Sequence, residues 1–111
     1  MTESTQPVLP PEAILMQMLF GAQMQRSLCL ATRLGIPDML AEKALTAEDL
    51  AVKTNTHAPS LYRLLRTLAS IGVFSETADR KFELTPISGL LRSDVPGSVR
   101  DFAVMMGEDW I

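Results

Sequence analysis

Between Ala13 and Leu34 the chain is crowded with apolar residues, and only Arg26 and Arg33 are charged. At 100° per residue these apolar positions do not gather on one stripe. Ile14, Met18 and Cys29 take one side, Leu19, Leu30 and Leu34 the other, and Phe20, Met24 and Leu28 lie between. A helix that is apolar all round is buried all round. A chain of 111 residues has too little other mass to wrap it, so the pattern predicts that its remaining faces meet a second copy of the protein. Ile14, Leu15, Met18, Leu19 and Ala22 are the expected contact residues. A membrane span fits less well, because it wants roughly 20 consecutive apolar residues, and Gln17, Gln23, Gln25 and Arg26 interrupt this stretch.

The other elements follow in order. Pro10 and Pro11 end a polar leader, and Pro11 or Glu12 opens the long helix. Gly35, with Pro37 beyond it, stops that helix. A short helical turn runs from Pro37 to about Glu42 and buries Ile36, Met39 and Leu40. Thr46 caps the next helix with Asp49 in a capping-box pattern, Leu50, Ala51 and Val52 forming its apolar side to about Lys53. Pro59 opens the most regular helix. Leu61, Leu64, Leu65, Leu68 and Ile71 occupy one arc of it, and Arg63, Arg66, Thr67 and Ser70 the opposite arc, before Gly72 ends it. Val73 to Glu76 and Lys81 to Thr85 read as a hairpin with Phe74, Phe82 and Leu84 inward, although its turn lacks Asn-Gly or Asp-Gly. Thr85-Pro86 starts another short helix to about Arg92, and Val99, Phe102, Ala103 and Met106 recur at helical spacing near the end.

Composition narrows the class. Hydrophobic residues make up 47%, enough for one domain with a real core. The net charge of −3 and pI near 5.0 do not suit a nucleic-acid coat or a membrane-surface patch. Cys29 is the single cysteine and lies in the apolar helix, so it reads as a buried thiol, and a cytoplasmic location fits. Residues 1–11 have Glu3 where a signal peptide needs positive charge and are expected to be a disordered leader before a domain over residues 12–111. One histidine and one cysteine with scattered acids make no metal cluster.

Helix, turn, amphipathic helix and two-stranded hairpin together predict a mainly α fold: a winged helix-turn-helix with a long N-terminal dimerisation helix and a small β wing. Two functions of different class share that arrangement. In a DNA-binding regulator, Arg63 and Arg66 would reach phosphates or base edges and Arg80 and Lys81 the backbone. Against this stand the acidic balance and the shortage of further cations on that helix, since phosphate contacts supply most of the affinity of such proteins. A solvated polar face is the plainer account of Arg63 and Arg66.

The runs Leu30-Ala31-Thr32-Arg33-Leu34-Gly35-Ile36-Pro37-Asp38-Met39-Leu40, Leu45-Thr46-Ala47-Glu48-Asp49-Leu50-Ala51 and Leu61-Tyr62-Arg63-Leu64-Leu65-Arg66-Thr67-Leu68-Ala69-Ser70-Ile71-Gly72-Val73-Phe74, followed by Phe82-Glu83-Leu84-Thr85-Pro86 and on to Trp110, carry a resemblance. They are similar to the N-terminal dimerisation domain of S-adenosylmethionine-dependent O-methyltransferases of the plant caffeate and bacterial hydroxyneurosporene type. That resemblance implies a homodimer in the cytoplasm, with S-adenosylmethionine as the cofactor of a longer parent and a small hydroxylated acceptor, aromatic or polyketide-like, as its substrate. It implies neither a nucleic-acid nor a membrane partner.

It also implies that cofactor and catalysis belong to a Rossmann-like domain that these residues do not contain. The six glycines, at 21, 35, 72, 89, 97 and 107, form no Gly-x-Gly loop, so the sequence is expected to be a fragment with no catalytic and no cofactor-binding residue of its own. The family's general-base histidine lies in the absent part, and His57 reads as a loop or cap histidine. The resemblance leaves one lining role open: Met18, Phe20 and Met24 have the size and flexibility to reach the substrate pocket of a partner subunit, the alternative being simple interface packing.

Overall fold

The computed structural model describes residues 9–108, and the expected leader lies largely outside them, as does Trp110. Helix α1 spans Pro11–Arg33, with Pro11 and Glu12 in its first turn and Arg33 in its last, as the helix dipole favours. Gly35 stops it at φ 78°, a left-handed conformation that a side chain would strain, and at once becomes the N-cap of α2, Ile36–Glu42. Strand β1 is only Leu45–Thr46. Helix α3, Ala47–Thr54, starts with the expected capping box: Asp49 N–H donates to Thr46 Oγ1 at 3.1 Å, and Thr46 N–H to Asp49 Oδ2 at 3.2 Å. Helix α4, Ala58–Ser70, buries Leu61, Leu65 and Leu68.

The wing is β2, Phe74–Glu76, against β3, Lys81–Leu84, followed by α5, Pro86–Gly89, and α6, Arg100–Glu108. The sheet order is β1-β3-β2, antiparallel throughout, with Leu45 opposite Phe82 and Phe74 opposite Leu84. The wing therefore has a third strand that the sequence pattern did not announce. Phe74 and Phe82 are fully buried and meet Leu50, Leu65 and Leu68 in one core, while Leu84 packs at its edge. Thr85 ties the sheet to the end of α4 by donating its hydroxyl to the Gly72 and Val73 carbonyls.

Three local expectations need correction. Val52 is exposed, because at 100° per residue it lies about 200° round the helix from Leu50, beyond the apolar side held by Leu50 and Ala51. Ile71 is half exposed for a related reason: it sits past the last turn of α4, where the chain leaves the core. The helix expected to reach Arg92 ends at Gly89.

The larger departure concerns α1. Only Cys29, Ala31 and Thr32 of it are buried, so the protein's own core covers its C-terminal third and leaves the rest bare. The shape agrees. The radius of gyration is 16.2 Å, against about 13 Å for a compact chain of roughly 100 residues, and the long axis of 56 Å is nearly twice the other two. The first half of α1 stands out from the body as an arm.

A candidate interaction surface on the first helix

The arm exposes Met18 by 67%, Leu15 and Leu19 by 58% each, and Phe20 by 53%, with Ile14 and Met16 also exposed. Each such side chain left in water forgoes about 1.5 to 3 kcal/mol of burial, and contiguous apolar exposure on this scale marks an interaction surface. The residues expected at a dimer contact, Ile14, Leu15, Met18, Leu19 and Ala22, are all solvent-facing here. Of the three suggested pocket-lining residues, Met18 and Phe20 are exposed and Met24 is half-buried. No helix among the described residues is long and apolar enough to cross a membrane.

Two apolar grooves flank the root of the arm. One, of about 240 Å³, lies between α1 and α4 and is lined by Leu30, Leu34, Leu61 and Leu64, with Thr56, His57 and Ser60 at its edge. His57 is the N-cap residue of α4, and its Nδ1 shares a 2.8 Å hydrogen bond with Ser60 Oγ. The bond joins two exposed residues of one helical turn, and among the described residues no carboxylate is bonded to His57. The second groove, of about 290 Å³, lies between α1 and α6 and is lined by Leu28, Cys29, Leu91, Val99, Phe102 and neighbouring residues. At its end the helices approach so closely that a Cβ on Gly107 would lie 2.5 Å from Cys29 Cβ. Burial pushes the Cys29 thiol up, an effect that nearby Arg33 only partly offsets, so it stays protonated and a poor nucleophile.

The arginines proposed for DNA contact are placed very differently. Tyr62 donates its hydroxyl to Glu76 Oε2 at 2.7 Å and accepts from Arg66 Nη1 at 3.2 Å, and Arg66 Nε lies 3.5 Å from Glu76 Oε1. Arg80, at the wing's turn with φ 63°, folds back so that its guanidinium sits 4.6 Å over the Tyr62 ring. Arg66 and Arg80 thus fasten the wing to α4, and Arg66 does so from the solvated face, its side chain still largely exposed. Arg63 remains on the exposed arc. Among the described residues no group of histidine, cysteine and acidic side chains could hold a metal ion.

A long apolar helix standing off a winged-helix body whose Arg66 and Arg80 are engaged within that body defines a dimerisation module. Residues 16–94 match the family model of the O-methyltransferase dimerisation domain, and the chain belongs to that family. It is 46% identical over 110 residues to the phenazine O-methyltransferase PhzM of Lysobacter antibioticus, an alignment covering 98% of this chain and 32% of that relative. Among solved structures it is similar to LaPhzM, with TM-score 0.83 and 48% identity over 90% of this chain and 30% of that one. It also resembles the N,N-8-amino-8-demethyl-D-riboflavin dimethyltransferase RosA of Streptomyces davawensis, with TM-score 0.84 and 32% identity over 91% of this chain and 30% of that one. The chain spans about a third of the length of the curated relative and solved structures it matches.

Proposed function

We propose that these residues form the homodimerising part of an S-adenosylmethionine-dependent methyltransferase of the cytoplasm, acting on a small hydroxylated aromatic or polyketide-like acceptor. The observation that carries the reading is the exposed apolar arm of α1, on a chain of the O-methyltransferase dimerisation family. The names of the relatives support a flat, fused-ring acceptor, phenazine in one and an aminoriboflavin in the other. Dimer contact falls to Ile14, Leu15, Met18, Leu19 and Ala22, and Met18, Phe20 and Met24 either pack in that interface or reach the partner's acceptor pocket.

The residues present do not fit the cofactor. Their sheet is an antiparallel wing of three short strands, without the parallel strand, glycine-rich turn and helix N-terminus that bring backbone N–H groups to such a ligand. The domain over residues 12–111 is therefore assigned to assembly, and catalysis to a longer parent.

Sedimentation equilibrium over a wide concentration range tests the assembly. The expected species is a dimer, and Met18→Asp, which places an unpaired charge on the apolar arm, is expected to dissociate it. A soluble, stable wild-type monomer would sink the reading.

A further inference from the structure

Beyond Gly89 the chain makes a closed loop before α6 begins. Val99 N–H donates to the Leu90 carbonyl at 2.8 Å, and the Ser98 hydroxyl donates to the same oxygen at 3.1 Å, so the two ends of the loop meet in a neck. The neck is also the root of α6, because Ser98 Oγ accepts the Arg100 N–H at 3.1 Å. Whatever moves the loop therefore moves the start of α6.

The outer part of the loop is tied to α2. Asp38, in the first turn of that helix, accepts the Ser93 N–H at Oδ1 and the Ser93 hydroxyl at Oδ2, both at 2.8 Å. A carboxylate that accepts with both oxygens makes the stronger kind of hydrogen bond. Both bonds are nevertheless exposed, and Asp38 also faces an open cavity of about 400 Å³ with Met39, Glu42, Lys43 and Lys53. Water reaches the carboxylate while it holds the loop.

At its far end α6 lies on the root of the arm. Gly107 is set against Cys29, and Gln25 Nε2 donates to the Met106 carbonyl at 3.4 Å. The groove of about 290 Å³ beside them stays open, and helix faces that leave such a space forgo the dispersion contacts of a filled interface.

We propose that the loop and α6 form one latched strap: Asp38, through Ser93, holds α6 down on Cys29, and release of that contact lets α6 lift from α1 as a unit while the core around α4 stays folded. Opening of this kind belongs to segments with exposed hydrogen bonds and few buried apolar contacts; Phe102 and Met105 of α6 are both exposed. The strap acts at the C-terminal third of α1 and does not depend on the homodimer reading.

Two substitutions on the full chain test it. Asp38→Ala removes both bonds, and Ser93→Ala removes one and leaves the backbone N–H its acceptor. The readouts are hydrogen exchange over Arg100–Glu108, with the amides of buried Leu65 and Leu68 as reference, and the rate at which Cys29 reacts with a thiol reagent. Asp38→Ala should speed both by about tenfold, the scale of one or two lost hydrogen bonds to a charged group, with the reference amides unchanged. Ser93→Ala should have a smaller effect, and none when added to Asp38→Ala, because no acceptor is then left. Unchanged exchange or unchanged Cys29 labelling in Asp38→Ala overturns the strap. So does an equal loss of protection at Leu65 and Leu68, which would mean that the whole domain had been weakened, and so does simple addition of the two effects.

Discussion

Gly107 offers the sharpest test of how α6 is held. An ideal Cβ there would lie 2.5 Å from Cys29 Cβ and 3.0 Å from its Sγ, where carbon atoms pack at about 3.5 to 4.0 Å. Cys29 is buried in the C-terminal third of α1, where the body packs on the helix, so its Cβ cannot yield without moving the helix. Gly107→Ala must therefore push α6 outward by about an ångström, judged against that packing distance, opening the groove between Leu28 and Phe102. Overpacking of this kind costs about 1 to 3 kcal/mol, and each kcal/mol lowers Tm by about 4 to 8 °C in a domain this size. Alanine's better helix propensity, worth up to about 1 kcal/mol, offsets part of that cost. Melting at fixed protein concentration, together with hydrogen exchange over Arg100–Glu108, reads the effect. The control is a double-mutant cycle with Cys29→Gly. Removing the opposing Cβ has its own helix cost, but it should cancel most of the Gly107→Ala penalty and give a favourable coupling of about 1 kcal/mol or more. If Gly107→Ala melts like wild type with α6 still protected, or if the two substitutions simply add, the close approach is not what holds α6.

Phe82→Ala should cost about 3 to 5 kcal/mol in chemical denaturation, because Phe82 is fully buried on the central strand and stacks edge-on to Tyr62 at 5.8 Å; a loss below 1 kcal/mol would contradict its place in the core. Thr46→Ala should cost about 1 kcal/mol by removing the capping oxygen. Within that box the hydrogen bond from the Thr46 backbone N–H holds the Asp49 carboxyl below the usual carboxylate range. Its stabilisation is thus present above the unfolded-state pKa and lost as pH falls through the folded value; Asp49→Asn should flatten that acid limb of the stability profile, and an unchanged limb would refute the linkage. Duplex DNA should not bind near physiological salt, and Arg66→Gln should instead loosen the wing, seen as faster amide exchange over Phe74–Glu76; salt-sensitive retardation in a shift assay, lost in Arg66→Gln, would favour the regulator reading.

The sequence disclosed elements whose signals are local. Pro11 and Gly35 bracket α1, the Thr46 and Asp49 spacing marks a helix start, and the leucines of α4 repeat at helical period. It hid whatever depends on a distant partner. Strand β1 is too short to alternate, and it exists because Phe82 offers a free edge of β3 to Leu45. Arg66 is the solvated cation that its position predicts, but its partner Glu76 stayed hidden because it lies beyond the Gly72 turn on another element. Gly107 counted in the sequence only as one of six glycines without a Gly-x-Gly pair, and the approach of α1 gives it a place. The functional site was half legible: the apolar excess of α1 announced a surface, but how little of it the body covers depends on where α4 and α6 end up. The residues alone reached a winged helix with two functions, and the resemblance chose between them.

The pairing of β1 with β3 has a consequence for the order in which the molecule forms. Leu45 and Phe82 meet only after all of α3 and α4 has been gathered between them, and the entropy of closing so long a loop must be met before the strand contact returns anything. A two-residue strand cannot lead that process, so the helices must assemble first and the third strand must close last. Substitutions at the Leu45 edge should accordingly speed unfolding and leave the folding rate nearly untouched.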